Sequence, residues 1–338
     1  MEHYAYVKKY ASGKQASLGR NARKFMAILY EKTGQYVKAA RSFESYAAYN
    51  TKDRVASEFY YNAALIWNGI NWYSKALRDF QKYLLLSRGK KKSEVLFLIG
   101  SIWEKRRNYS KAIYYFEKYM KSSPQNRLRV IETAFKLGSL YEKLKRKSQA
   151  QDWYRKTVLI QRNISRRSRV PVGVNYAAEA KFKLVYKTFE KLRSIRFPRS
   201  SSGQARALNK KLSFIQRLKN ELKPVIAYDD GPMIVAALTL QGQAFQDLSV
   251  SLIKAPIPKE VPKSIRKQYK DSVRKKASEF LSKATESYKV AIQKAYQIDA
   301  YGPWLKIAQR ELGRINGNKF YDLGFLILEK DIPIGVNQ

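Results

Sequence analysis

Cysteine is absent from this sequence, and histidine occurs once, at His3. Without thiols there can be no disulfide, no thiolate metal site and no cysteine nucleophile, and the redox compartment stays open. A lone imidazole in the first residues removes Ser-His-acid triads, His-Glu metal sites and His acid/base pairs. Only a Ser-Lys dyad or a carboxylate pair is left, so the residue inventory points away from an enzyme and specifies no cofactor, no metal and no small-molecule substrate. Long apolar runs are also missing. The longest, Met233 to Leu240, falls far short of the roughly 18 residues that span a bilayer, so no transmembrane segment is expected. No N-terminal stretch joins basic residues to an apolar run. Acid is scarce, with 27 Asp and Glu against 67 Lys and Arg, a formal net charge of +40. Such an excess attracts nucleic acid, anionic lipid, acidic wall polymers or acidic proteins, although an evenly solvated basic surface carries the same charge.

At 45% hydrophobic and 13% aromatic residues the chain is apolar enough to fold. It is organised around the stretch from Leu96 to Pro124, where Leu96, Gly100, Trp103, Ala112, Phe116 and Tyr119 recur at helical spacings on two adjacent stripes. Gly100 reads as the small residue that admits a neighbouring helix, Trp103 as its cover one turn later, and Asn108 as the turn. Ala112 and Phe116 form the facing stripe of a second helix. One helix pair cannot bury both stripes alone, so neighbours are required. They are present. Small residues at Ala27, Ala64, Gly100 and Gly138, spaced by 37, 36 and 38 residues, are each followed three positions later by Tyr30, Trp67, Trp103 and Tyr141. Tyr36, Tyr73 and Tyr109 open the second helices, with Lys147 as the exception. Ala39, Ala76, Ala112 and Ala150 precede Phe43, Phe80, Phe116 and Tyr154 by four positions. One supersecondary unit is repeated.

The pattern resembles the tetratricopeptide repeat (TPR) family over Leu18 to Arg162. Gly34 with Tyr36, and Pro124, match its turn and its closing proline, whereas Asn71, Arg107 and Lys145 stand where a turn glycine is expected. The period slightly exceeds the usual ~34 residues. The resemblance implies an all-α, right-handed superhelical solenoid of antiparallel helix pairs, acting as a non-catalytic scaffold with protein or peptide partners laid along the first helix of each pair. Carried over residue by residue, it turns Glu58, Tyr61 and Leu65 inward in one repeat, Glu94, Phe97, Ser101 and Glu104 in the next, and Glu132, Phe135, Ser139 and Glu142 in the third. Carboxylates flanking aromatics favour a ligand segment that carries Lys or Arg with apolar side chains and repel phosphate backbones. The same residues also serve as ordinary repeat decoration, and Tyr61, Phe97 and Phe135 would equally pack between repeats.

Residues 1–162 read as the regular array, entered midway through an incomplete first repeat. Residues 163–229 read as diverged basic helices. Between Arg162 and Lys223 lie 17 Lys or Arg against three Glu, a candidate contact with an anionic surface. Within them Arg196 to Gly203 reads as a loop standing where a second helix is expected. Residues 230–316 read as a split repeat: Asp229-Asp230-Gly231-Pro232 starts a helix, a Pro-rich insertion follows Ala255, and a long helix with Ala284, Tyr288 and Ala291 precedes a capping helix from Gly302-Pro303-Trp304. Residues 317–338 read as an extended tail. Leu252 to Pro258, Tyr269, Ala284, Tyr288 and Trp304 give a second resemblance, to the C-terminal region of the TPR proteins of the myxobacterial adventurous gliding-motility machinery, over Gly231 to Leu312. That resemblance implies a structural part of a bacterial envelope motility complex, in the periplasm, with a cytoplasmic scaffold as the alternative. The charge keeps a second function open, a basic helical-repeat binder of a polyanion such as nucleic acid, anionic lipid or wall polymer.

Overall fold

The computed structural model describes residues 2–10, 16–53, 55–87 and 91–317, which are helical with no strand among them. They fall into two units, Met1–Ala150 and Gln151–Gln338. The tail expected over 317–338 lies outside the described residues except for Gly317.

Unit 1 contains α1 (Glu2–Tyr10), α2 (Ala16–Lys32), α3 (Tyr36–Tyr49), α4 (Ala56–Gly69), α5 (Tyr73–Leu86), α6 (Lys92–Lys105), α7 (Tyr109–Lys121) and α8 (Arg127–Lys143); α9 (Lys147–Ser168) runs from this unit into the next. The pairs α2/α3, α4/α5 and α6/α7 are antiparallel hairpins held by the expected small and aromatic residues. Ala27, Ala64, Ala76, Phe80, Ala112 and Phe116 are all fully buried. Gly100 is small for a steric reason: a Cβ there would stand 2.8 Å from Cδ1 and Cε1 of Phe116.

The turns explain the departures from the glycine pattern. Gly34, Asn71, Arg107 and Lys145 all have positive φ, at 72°, 62°, 58° and 60°. The residue after each donates its amide back five positions, Gln35 to Tyr30, Trp72 to Trp67, Asn108 to Trp103 and Arg146 to Tyr141. This left-handed closure satisfies carbonyls that the helix end leaves open. Glycine adopts it freely and asparagine tolerates it, whereas Arg107 and Lys145 carry the strain of a Cβ in that region. The following helices start on side-chain caps where the sequence allows, with Asn108 Oδ1 accepting from Lys111 N at 3.1 Å and Asn126 Oδ1 from Arg129 N at 3.0 Å.

Unit 2 contains α10 (Val174–Ser194), α11 (Ser201–Ile226), α12 (Gly231–Ile253), a 3-10 turn (Lys263–Ile265), α13 (Arg266–Gln297) and α14 (Pro303–Asn316). The loop expected through Gly203 is shorter than its sequence suggests. Ser201 to Gly203 are the first turn of α11, the second helix that had been expected to be missing, capped from Ser200, whose carbonyl accepts from Gln204 N at 2.9 Å. Pro198 and the serines make the turn and then start the helix at once, Ser200 standing at its N-cap without a side-chain cap bond. At the start of α12, Asp230 accepts from Met233 N at 3.1 Å with Pro at the first turn. Gly242 repeats the Gly100 device, since a Cβ there would meet Tyr288 Cε1 at 2.7 Å. Lys211 is fully buried, donating to Asp247 at 2.6 Å and to the Leu192 carbonyl at 3.1 Å. One of the seventeen cations of the basic stretch is therefore a core residue of unit 2.

Candidate functional site

In unit 1 the first helices of the pairs, α4, α6 and α8, are joined side by side by ion pairs. Glu58 bonds Lys91 at 2.7 Å, just ahead of α6. Glu94 on α6 meets Arg129 on α8 at 3.5 Å, and Glu104 meets Lys136 at 2.8 Å, with Glu132 3.9 Å from the same ammonium. The sequence reading placed these four carboxylates on one face but missed their cations. Lys91, Arg129 and Lys136 sit one repeat further along and look like ordinary surface charge when each repeat is read alone.

The aromatics of the face lie beneath these pairs. Tyr61 and Phe97 are buried, Tyr61 with its ring centroid 5.4 Å from Tyr83 and Phe97 with its centroid 5.6 Å from Tyr119. Lys91 lies 4.8 Å over the Tyr61 ring and Arg129 4.6 Å over the Phe97 ring. The same three-part device therefore occurs twice in register: a carboxylate, an aromatic three residues later, and a cation from the next repeat bonded to the first and stacked on the second. Each pair is partly exposed, so the electrostatic contribution to stability is about 0–1 kcal/mol per bridge, with cation-π stacking adding roughly 0.5–1 kcal/mol. The device fixes the spacing of the helices more than it adds stability.

Two hydroxyls stand under the ladder. Tyr83 and Tyr119 are fully buried, and neither hydroxyl finds a hydrogen-bond partner among the described residues. Burial first, together with Glu132 and Glu94, pushes the Tyr119 phenol up to about 12, so both the ring and its proton are kept. Burial and the nearby Glu94 likewise raise Tyr61. The outer row is more open: Leu65 and Glu142 are exposed, and Ser101, Phe135 and Ser139 are half-buried. All eleven residues lie on α4, α6 and α8.

A further buried cluster, absent from the sequence reading, joins the outer helices. Asp79 on α5 is fully buried, and burial together with the neighbouring Glu44 of α3 pushes its carboxyl up to about 7. Glu44 accepts from Trp67 Nε1 and from the Arg78 guanidinium, each at 2.6 Å. Although burial acts to raise its pKa, hydrogen bonds from Asp79, Trp67 and Arg78 bring it below the ordinary carboxylate range. Arg78 Nε also lies 3.2 Å from the Asp79 carboxyl, and nothing in the sequence around Asp79 marks it as buried.

In unit 1 the geometry is that of an all-α repeat of antiparallel helix pairs. The sequence profile of the tetratricopeptide repeat family matches residues 94–126, which are α6 and α7 with the turn that follows. The neighbouring pairs of unit 1 copy the packing and turn geometry of that repeat. Among curated proteins none matches the chain in sequence. Among solved structures, the chain is similar to the C-terminal part of a TPR repeat-containing protein from Cytophaga hutchinsonii, at 16% identity over 87% of this chain and 92% of that one, TM-score 0.42. It is also similar to YrrB, a TPR protein described as having an unusual peptide-binding site, at 17% identity over 77% and 100%, TM-score 0.38. A tetratricopeptide repeat protein from Parabacteroides merdae gives 13% identity over 86% and 98%, TM-score 0.35.

Proposed function

We propose that the chain is a non-catalytic scaffold that holds a protein segment along the face of α4, α6 and α8. The observation that carries this reading is the register of the Glu58/Tyr61/Lys91 and Glu94/Phe97/Arg129 devices, which makes a rail of alternating charge with apolar rungs. A segment carrying Lys or Arg between apolar side chains competes with Lys91 and Arg129 for the same carboxylates, and the outer row of Leu65, Ser101 and Ser139 gives it space to lie. A photo-crosslinker tests the assignment when placed at Ser101 or Ser139 and, as the control, at exposed Tyr114 on the outer helix α7. Crosslinks to a protein from the source cell at the first two positions and not at Tyr114 support the reading. Equal crosslinking at Tyr114 refutes it.

We further assign this scaffold to a bacterial envelope gliding-motility complex, in the periplasm. The support is the likeness of residues 231–312 to the motility TPR proteins, with a cytoplasmic scaffold as the alternative. Cell fractionation separates the two compartments, and a protein confined to the cytoplasm overturns the motility assignment.

A further inference from the structure

One end of unit 2 combines an apolar cleft with a dense collar of cations. The cleft, about 520 Å³, lies between the start of α11, the end of α12 and the first half of α13, and its floor includes Phe197, Leu208, Leu252, Ile257 and Val273. Its walls are preformed. Gln204 donates to the carbonyls of Pro198 at 2.9 Å and Pro256 at 2.6 Å and accepts from the Tyr269 hydroxyl at 2.8 Å, tying three segments together. Lys259 N donates to the Arg199 carbonyl at 3.0 Å, and Glu260 accepts from the backbone and hydroxyl of Ser201 at 3.2 Å. The Pro-rich insertion is thereby anchored as a rim.

Cations dominate this end. From Lys254 to Lys276 the sequence holds nine Lys or Arg against Glu260 and Asp271. Glu260 is engaged with Ser201, and Asp271 pairs with Arg274 at 3.3 Å. Lys270, Arg274 and Lys276 line the cleft itself, Lys276 bonded to Glu279 at 2.7 Å, and no carboxylate lines it. Exposed aliphatic side chains stand in the same segments, Ile253 at 58% and Ile265 at 47% of their surface in solvent. A phosphate backbone would use the cations and leave these side chains in water, and the cleft's aromatics, Phe197 and Tyr269, are half-buried with the Tyr269 hydroxyl tied to Gln204, whereas single-strand nucleic-acid grooves present exposed stacking faces. Cations beside exposed aliphatics and an acyl-sized cleft match a headgroup boundary instead.

We propose that this end of unit 2 docks on an anionic lipid surface, with Ile253 and Ile265 entering the headgroup boundary and an acyl chain occupying the cleft. The test is co-sedimentation of the full chain with phosphatidylcholine vesicles, with and without about 30 mol % phosphatidylglycerol. Wild type is expected to bind the anionic vesicles at least about tenfold more tightly than the neutral ones. Ile253→Ser with Ile265→Ser is expected to lower anionic-vesicle binding about tenfold. Both positions are exposed, so the melting temperature should not move, and binding to a single-stranded oligonucleotide should be unchanged. Ala205→Trp, which fills the cleft from an exposed wall position, should weaken vesicle binding as well. Equal binding to both vesicle types overturns the proposal. So does full retention of anionic-vesicle binding by the double variant, which would make this end a plain polyanion surface of the kind nucleic acid also fits.

Discussion

Replacing Gly100 by alanine adds one methyl group, and the structure states what that methyl meets. Its Cβ would lie 2.8 Å from two ring carbons of Phe116 and 3.2 Å from Cγ. The ring is fully buried, so it can clear the methyl only by displacing packed neighbours. Overpacking of this kind costs about 1–3 kcal/mol. Alanine also gains helix propensity over glycine, up to about 1 kcal/mol, so the single variant nets a loss of roughly 0–2 kcal/mol. The steric part is isolated by a control in the preceding repeat. Gly69 is helical and a Cβ there meets nothing within 4 Å, so Gly69→Ala collects the propensity gain alone, about 0.5 kcal/mol at a helix end. In urea unfolding followed by circular dichroism, Gly69→Ala should stabilise, and Gly100→Ala should fall below it by about 0.5–2.5 kcal/mol. Phe116→Leu in the Gly100→Ala background should recover part of that loss, giving a coupling of about 1 kcal/mol or more in the double-mutant cycle. If Gly100→Ala is as stable as Gly69→Ala, the contact and the repeat register built on it are both wrong.

Other consequences follow from the same contacts. Arg107→Gly and Lys145→Gly relieve left-handed backbone strain and should each stabilise by about 0.5–1 kcal/mol in denaturant titrations, with Asn71→Gly gaining less. Lys211→Met leaves Asp247 facing a buried methionine and should cost about 3 kcal/mol, most of it recovered when Asp247→Leu is added. Asp79 is held protonated in the folded state up to about pH 7, while the unfolded carboxyl ionises near 4. The folded state thus binds the extra proton between those values, so this group's stabilisation is complete at low pH and is lost as pH rises toward 7. The wild-type melting temperature should therefore fall from pH 5 to pH 8, and Asp79→Asn should flatten that slope; an unchanged slope refutes the buried-acid assignment.

Much of this was legible in the sequence because a repeat states each packing rule several times over. Gly100, Ala64 and Ala76 could be recognised as close-packing positions from spacing alone, although the ring over Gly100 is Phe116 of the facing helix and not Trp103. Asp230 and Pro232 announced the start of α12 through the local chemistry of a cap. What stayed hidden depends on partners distant in sequence. Lys91, Arg129 and Lys136 reach back one repeat to neutralise Glu58, Glu94 and Glu104, so a face read as acidic is a ladder of ion pairs. Lys211 counted as surface charge because nothing local distinguishes a lysine aimed at Asp247 from one aimed at water. Arg196 to Gly203 misled for a different reason: Pro and Ser signal a break and a helix start with the same residues, and here they do both within a few positions.

The proposed function stands on a protein segment binding the face of α4, α6 and α8. The most direct measurement is capture from the source cell by the wild type beside Ser101→Tyr with Ser139→Tyr, washed at physiological salt. These two half-buried serines lie outside the ion-pair ladder, so the substitutions obstruct the face and leave Glu94, Arg129 and Lys136 in place. One or more proteins should be held by the wild type and lost from the variant, with the melting temperatures within a few degrees. An identical set of proteins on both would contradict the proposed function.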